Sequence, residues 1–402
     1  MRIGILGGRL QGIEAAYLCR KAGYESILID KDTQAPATTL ANEAYTLNIT
    51  KDVNYAKKIL KKVDAVLPAN ENKKTLAHSE KLCMELGIPF MQDNTAFWTT
   101  SNKLRSGEFL SDLNIPTPKP WPDCGFPVIV KPSNKSGSES VFRANTIWQL
   151  QKALKRIRGA DEKIITQEFI DGSALSLEVI AKKGEAKPLQ VTGLEFDDTY
   201  GCKKVYAPIQ ISADLQRKFN EISEEIAKGL RLNGLIDVQS ICREGLPIVN
   251  EINARLPSQT PTVVYHSSGI NMITLLAELF LENELPDVRI QPKHAVIYQH
   301  IKVFDGELRV QGEHVMEDAR DLQITKGFCG ASEAITNMTV DKGARELVAT
   351  LIVKAKSLDD AEKKMEKVIQ RIMGEYGLDK YNDLAPSKEG NRHDQARHCN
   401  AK

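Results

Sequence analysis

From Met1 to about Phe90, short apolar runs alternate with stretches whose apolar positions recur every three or four residues. The runs Ile3 to Leu6, Ile27 to Asp30 and Ala65 to Pro68, with a shorter one near Pro89, read as strands. Between them, Gln11 to Ala22 sets Ile13, Ala16 and Tyr17 on one face, and Val53 to Lys62 and Lys73 to Leu86 repeat the helical period. Strand–helix alternation of this kind predicts a small, doubly wound parallel sheet over residues 1–95.

From Ala96 the pattern changes. Ser101 can cap a helix running to Asp112, and the four prolines of IPTPKPWPD then force an extended connector. A strand at Val128 to Val130, the polar loop PSNKSGSES and a helix from Ile147 to Arg158 complete a small unit over residues 96–165. Beyond it, the apolar runs Leu175 to Lys182, Leu189 to Glu195, Leu235 to Cys242, Pro247 to Asn253 and Ala295 to Val303 follow with few helices between them. They predict a mainly antiparallel sheet within residues 166–376, covered by helices Ala213 to Leu232 and Asn271 to Leu281. A last helix, Leu358 to Met373, carries Met365, Val368, Ile369 and Ile372 on one face. Residues 377–402, ending SKEGNRHDQARHCNAK, are almost devoid of apolar side chains and are expected to form a disordered tail. The fold class is α/β, a parallel domain followed by antiparallel sheets.

Bulk properties narrow the function. A chain of 402 residues needs more than one core. Its 54 basic and 53 acidic residues leave a net charge of +1, which gives no footing for a nucleic-acid partner. Seven scattered cysteines without a CxxC pair suit reduced thiols rather than a disulfide framework or a zinc site. The start MRIGILGGRL enters a strand at once and lacks a signal-peptide pattern, and no apolar run reaches the roughly 20 residues that span a bilayer. The expectation is a cytoplasmic protein with no membrane contact.

The first candidate for chemistry is GILGGRLQG, between a strand and a helix. Glycines there permit a tight turn with helix N–H groups facing an anion, and Asp30 stands where a dinucleotide fold places its ribose-binding acid. The fingerprint G-x-G-x-x-G fails, because Arg9 or Leu6 occupies its third position, so an NAD-dependent oxidoreductase is a weaker alternative. The loop can instead grip a carboxylate or amino group of a small substrate with Gln11 and Glu14, or merely pack the helix on the sheet.

Four later features share one ligand chemistry. Lys103 at a helix start and Lys131 ending the strand PVIVK are point charges suited to phosphate oxygens, although either alone reads equally as a solvated charge. The loop after Lys131 can offer N–H groups and hydroxyls to phosphates, or be an ordinary hairpin. In TQEFIDG, the backbone of Glu168 and Ile170 can read an adenine edge while Phe169 packs inward. In GLIDVQSI and PIVNEINAR, two apolar strands form a hairpin on which Glu251, Asn253 and Arg255 alternate onto one face that Asp237 can reach. Oxygen ligands of this kind suit Mg²⁺ bridging phosphates, and Arg255 suits a transferring phosphoryl group.

Taken in order, these segments resemble the ATP-grasp superfamily from Met1 to about residue 375, and GGRLQGIEAAYL, VDAVLPANEN, ALSLEVI and NARLPSQTPTVVYHSSGIN are similar to its pyrrolysine-biosynthesis ligases. The resemblance implies an ATP- and Mg²⁺-dependent carboxylate–amine ligase acting on 3-methyl-D-ornithine and L-lysine, with a homodimer as one option for its assembly. It implies that Lys103 and Lys131 hold the α- and β-phosphates, that Ser136, Gly137 and Ser138 form a lid, and that Gln167, Glu168 and Ile170 line the adenine slot. Asp237, Glu251 and Asn253 would ligate Mg²⁺ and Arg255 would be catalytic. Ser176, Glu178, Ser258 and Gln259 would hold the amino acids, with Glu178 or the Asp197-Asp198 loop assisting deprotonation of the amine. Other ATP-grasp ligases or carboxylases, and a nucleotide-binding regulator without turnover, are the alternatives. The chain departs from the superfamily pattern at Ser173 and Ala174, where a ribose-binding carboxylate is expected, and at Gln239, where a metal-binding acid is expected.

Overall fold

The computed structural model describes residues 1–135, 137, 140–157, 163–338 and 346–387. Its N-terminal sheet is made of β1 (Arg2–Leu6), β2 (Glu25–Asp30), β3 (Glu43–Thr46) and β4 (Ala65–Pro68), all parallel, in the order β3-β2-β1-β4. Helix α1 (Leu10–Lys21) joins β1 to β2 and α2 (Val53–Leu60) joins β3 to β4, while α3 (Lys73–Leu86) follows β4 and leads to Phe90, which bridges to Val66. Strands covered on both faces need continuous apolar sequence, which is why β1, β2 and β4 are legible in advance. The edge strand β3, EAYT, alternates half-buried and exposed positions and gives no such signal.

Two helices, α4 (Asn94–Thr100) and α5 (Lys103–Asp112), lead into the small unit. The cap of α5 is Asn102, whose Oδ1 accepts the N–H groups of Leu104 and Arg105 at 3.1 and 3.2 Å. The expected cap, Ser101, instead ends α4, a helix that the sequence reading did not include. Strands β5 (Val128–Pro132), β6 (Phe142–Ala144) and β7 (Ile164–Glu168) form the sheet β6-β5-β7, and α6 (Ile147–Ile157) buries Leu150, Ala153 and Ile157 against Val128 and Val130.

The remainder is built on one large, mainly antiparallel sheet. Its strands are β8 (Ser173–Lys182), β9 (Glu185–Phe196), β10 (Cys202–Ala207), β11 (Gly234–Arg243), β12 (Leu246–Asn253), β13 (Ala295–Phe304), β14 (Glu307–Val310), β15 (Gln323–Lys326), β16 (Glu333–Thr336), β17 (Glu346–Ala355) and β18 (Lys380–Asp383). The path runs β12-β11-β8-β9-β10-β13-β17-β16-β15, with β14 beside β13 and β18 beside β14. Helix α7 (Ala213–Gly229) packs Leu215, Phe219 and Ile226 on the strands from β8 to β12, while α8 (Thr260–Ser268) and α9 (Met272–Ala277) face α1. The last helix, α10 (Leu358–Tyr376), buries Met365, Val368, Ile369 and Ile372, the face its period predicts.

The expected disordered tail is corrected over its first part. Lys380–Asp383 pairs in parallel with Glu307–Val310, setting Tyr381 opposite Leu308. An edge strand is held by backbone hydrogen bonds and by anchors such as the Lys203 ammonium on Asp383, so low hydropathy did not reveal it. Residues 388–402 lie outside the described part of the chain. Among the described residues no helix is long and apolar enough to cross a membrane, and six cysteines are unpaired.

The N-terminal domain docks on the large sheet through polar groups as well as apolar ones. Tyr17 donates to Glu333 Oε2 at 2.5 Å, Lys21 pairs with Glu333 at 2.6 Å, and Asn271 donates to the Leu18 carbonyl at 2.9 Å. Glu14, assigned above to substrate, is fully buried between α1 and α8, where its Oε1 accepts the Thr262 N–H at 2.6 Å. Its Oε2 has no hydrogen-bond partner among the described residues. Burial pushes this carboxyl from 4.5 up to about 8. A folded value above the unfolded one means that the group's stabilising contribution is full below pH 4.5 and is lost as pH rises to about 8. Glu14→Gln keeps the acceptor for Thr262 and removes the titration. Urea denaturation across this window should show the variant gaining on the parent as pH rises, by a few kcal/mol at most near pH ~8. Parallel stability profiles would show that Glu14 is not held neutral.

Candidate functional site

The site forms where the small sheet meets the hairpin β11–β12. Register pairs Gln239 with Glu251 and Asp237 with Asn253, then slips by one so that Ser240 faces Val249. Asn250 is thus the extra residue of a β-bulge, which turns its side chain to the face occupied by Glu251. Strict alternation would have sent Asn250 the other way, and the sequence reading left it out. Its Oδ1 accepts from Lys131 Nζ at 3.2 Å and Gln167 Nε2 at 3.1 Å, joining β5 and β7 to the hairpin.

Charge is concentrated at this junction. Lys103, the first residue of α5, lies 3.3 Å from Glu251 Oε1 and donates to the Lys135 carbonyl at 2.6 Å. Lys131 is 5% exposed; burial pushes its ammonium down to about 8, with Glu251 acting against the fall. Burial alone would raise the Glu251 carboxyl, but Lys103 and then Lys131 more than offset it and hold the group below its ordinary range. One ionised carboxylate between two cations leaves an excess of positive charge, the condition for receiving phosphate oxygens.

A cavity of about 490 Å³ opens here, bordered by Lys103, Lys131, Gln167, Glu168, Ile170 and Glu251. One expectation about its far wall is narrowed and another is corrected. The Glu168 N–H is not available to a ligand, because it donates to the Lys119 carbonyl at 2.8 Å, and the Glu168 carboxylate holds Arg243 at 2.5 Å. Phe169 does not pack inward; its ring borders the cavity with the Arg143 guanidinium 4.0 Å from its centre. Ser173 and Ala174 also border this space and bring no carboxylate to it. Across β9, a Cβ on Gly193 would stand 2.3 Å from the Tyr206 ring, so glycine is what lets that ring lie along the wall. Of the lid triplet, Gly137 is described, at φ +63° with the His314 ring beside it, whereas Ser136 and Ser138 lie outside the described residues.

A second cavity of about 650 Å³ shares Gln239 and Glu251 with the first and extends toward the N-terminal domain. Gln11, Asn253, Arg255, Ser258 and Gln259 border it, with Glu71 and the glycine loop. Arg255 Nε donates to Glu71 Oε1 at 2.9 Å, and Gln11 Nε2 donates to the same oxygen at 3.1 Å. Burial works against the Arg255 charge, but Glu71 and Asp237 more than offset it. Gln259 Nε2 donates to Glu313 Oε2 at 2.8 Å. Asp30 closes the glycine loop, its Oδ2 accepting the Gly8 N–H at 2.7 Å, while Gly7 at φ +114° sits where a Cβ would meet the Ala69 carbonyl at 2.4 Å. Glu71 and Glu313 escaped the sequence reading. The signal for Glu71 was its place just past β4, since open parallel sheets bind ligands beyond the carboxyl ends of their strands.

Three residues assigned to substrate or metal meet at the cavity floor, with Ser176 and Glu178 beneath it and Asp237 bordering the second cavity. Ser176 Oγ lies 2.6 Å from Asp237 Oδ1 and 3.0 Å from Glu178 Oε1. A hydroxyl has one proton to donate, so only one carboxylate can accept it and the other must be protonated and donate to Oγ. Glu178 is that acid: burial, then the Asp237 charge, pushes it up to about 8. Burial raises Asp237 too, only partly offset by the Ser176 hydrogen bond, Arg255 and the Gln239 and Asn253 amides. Neither Ser176 nor Glu178 borders the cavities, so their assignment to substrate does not match their placement. Asp237, 1% exposed, accepts through Oδ2 from Gln239 Nε2 at 2.9 Å and Asn253 Nδ2 at 3.3 Å. Both amides then keep their carbonyl oxygens as acceptors beside Glu251. This donor set is all oxygen, as Mg²⁺ requires, and Asp237, which borders the same cavity, orients the two amides. Among the described residues no three His, Cys, Asp or Glu side chains converge to hold an ion by themselves, so phosphate oxygens and water must complete its shell. Asp197, the other candidate base, accepts from Thr199 and from the Gly201 and Gly312 N–H groups and serves the turn instead.

Residues 100–259 match the ATP-grasp domain model. The chain is 34% identical over 322 residues to the 3-methyl-D-ornithine–L-lysine ligase of Methanosarcina barkeri, covering 79% of this chain and 85% of that protein. It is 35% identical to the Methanosarcina mazei ligase of the same name, covering 79% and 83%. The fold superposes on the ADP complex of N5-carboxyaminoimidazole ribonucleotide synthetase with a TM-score of 0.69 at 16% identity, covering 92% of this chain and 96% of that one.

The charge arrangement has a pH signature. With Lys131 free to lose its proton near pH 8, tripolyphosphate should bind progressively more weakly above that pH than a fixed cation would allow. Titration calorimetry on the parent and Lys131→Arg at matched pH isolates this term. The ratio of their affinities should grow between pH ~7 and ~9, by up to about ten-fold; a constant ratio would show that Lys131 does not titrate in the empty cavity.

Proposed function

Because the chain belongs to the 3-methyl-D-ornithine–L-lysine ligase family of ATP-grasp enzymes, and so is an ATP-dependent carboxylate–amine ligase of pyrrolysine biosynthesis, we propose that it joins (3R)-3-methyl-D-ornithine to the ε-amine of L-lysine. The observation that carries this reading is the meeting of two cavities on one hairpin face, with Gln239 and Glu251 bordering both. One holds excess cationic charge and suits a nucleotide. The other mixes Arg9 and Arg255 with Glu71, Glu313 and Glu317, which suits amino acids that carry carboxylates and more than one amine.

ATP lies in the first cavity with its phosphates on Lys103 and Lys131 and its base toward Gln167, Glu168 and Ile170. Gly137 lies toward the terminal phosphate. Glu251 and Asn253, joined by the Gln239 carbonyl, hold Mg²⁺, which when bound neutralises phosphate charge. Gln11, Ser258 and Gln259 hold the amino acids. A carboxylate oxygen of the ornithine attacks the terminal phosphorus and the bond to the β-phosphate oxygen breaks, so ADP leaves with the lysines balancing its charge. The neutral ε-amine then attacks the acyl phosphate carbon, phosphate departs, and Arg255 stabilises the oxyanion. The ε-amine, with an ordinary pKa of about 10.4, must lose a proton first. Glu178 cannot receive it directly, being buried below the floor and bordering neither cavity.

Purified protein with Mg-ATP and D-ornithine, a simpler analogue, should release ADP in a lysine-dependent manner and form an amide of the mass of ornithyl-lysine. Glu251→Gln should lower kcat by about 100-fold or more while the protein stays folded. ATP binding without ADP release, with any pairing of these amino acids, would overturn the proposed substrates. Undiminished turnover in Glu251→Gln would remove the phosphate site from the hairpin.

A further inference from the structure

Lys203, on β10, is 4% exposed, and both acceptors of its ammonium come from the C-terminal segment: the Asp383 carboxylate and the Leu384 carbonyl, the latter at 2.8 Å. A buried cation deprived of its partners is costly, so this pair fixes the segment to the sheet. The parallel pairing of β18 with β14 fixes it a second time. Just past these anchors, Ala385 and Pro386 border the first cavity, as do Lys203 and Tyr206. In the sheet β10 stands four strands from β12, roughly 19 Å at ~4.8 Å per strand. The segment therefore lies at the end of the cavity away from Glu251. Register connects it to the departure noted above: Leu175 faces Gly193, which faces Tyr206, so the row next to Ser173 and Ala174 leads across to this wall.

We propose that the C-terminal segment Lys380–Pro386 is a built part of the nucleotide site, forming the wall at the ribose and base end, and that Lys203 is the positioning residue that holds it there. This rests on the reading of the first cavity as the nucleotide site. The chain brings no carboxylate at Ser173 and Ala174; the peptide groups and the proline ring of its own C-terminal segment stand at that end instead. The phosphate end is formed independently by Lys103, Lys131 and the hairpin, so disturbing the wall affects how tightly the nucleotide is held and leaves the reacting groups in place.

The test is calorimetric titration of the full chain with Mg-ADP, alongside steady-state kinetics. Asp383→Ala and Lys203→Met should each weaken Mg-ADP binding about ten-fold and raise KM for ATP to match. The kcat at saturating ATP and the KM values for both amino acids should stay within about two-fold. The double variant should be no weaker than the worse single one, because both act through the same segment. Additive losses would mean that Lys203 touches the nucleotide itself and would overturn its positioning role. Unchanged or tighter Mg-ADP binding in folded Asp383→Ala would overturn the wall. If that variant does not fold, Pro386→Glu alters the wall without touching the anchor, and unchanged binding there would be equally decisive. Failure of the parent to bind Mg-ADP would instead reject the nucleotide reading on which the proposal stands.

Discussion

The half-buried charge of Glu251 is the constraint around which the rest of the molecule is arranged. A carboxylate at the foot of two cavities keeps its charge only if cations reach it from outside its own sheet. Lys103 comes from the start of α5 and Lys131 from the end of β5, so satisfying one side chain fixes the small unit against the hairpin. The same three charges are what a polyphosphate needs. Lys131 and Gln167 meet on Asn250, which adds a neutral hinge point to the ionic one. The joint between the two units and the phosphate site are one set of atoms.

Below this set lies a layer in which proton count matters as much as position. A single hydroxyl, Ser176, separates Glu178 from Asp237, and it can satisfy both only if one acid is protonated. With the proton on Glu178, Asp237 stays ionised and takes the amide hydrogens of Gln239 and Asn253. The two amides are thereby turned to present oxygen toward Glu251. The glutamine found where an acid was expected then provides an oxygen without a second negative charge, so the excess of two lysines over one carboxylate is kept for phosphate. The adjoining cavity begins at Arg255, whose pairing with Glu71 joins the N-terminal domain to the same hairpin.

Much of this was legible in the sequence because its signals were periodic or compositional. Parallel strands covered on both faces, the helices between them, and the alternation of Glu251, Asn253 and Arg255 follow from spacing alone. What escaped depended on local geometry without such a signature. One extra residue in β12 redirects Asn250, and no pattern in PIVNEIN distinguishes a bulge from a regular strand. Burial decided the places of Glu14, Ser176 and Glu178: polar residues in strands and helices look available until the layer above them is known. The edge strand at Lys380–Asp383 was hidden for the opposite reason, since its exposed polar side chains resemble a tail while its backbone and Asp383 are engaged.

The central claim is that the two cavities join so that a carboxylate in one is phosphorylated by a nucleotide in the other. The most direct measurement uses D-ornithine labelled with ¹⁸O in both carboxylate oxygens, turned over with Mg-ATP and L-lysine, followed by mass analysis of the released phosphate and of the amide. The account predicts one labelled oxygen in the phosphate and the other retained in the amide, because the bond broken in the second step is that between the carbonyl carbon and the oxygen joined to phosphorus. Amide formation with unlabelled phosphate, or with the label in AMP, would contradict it and show that the carboxylate is activated by another route.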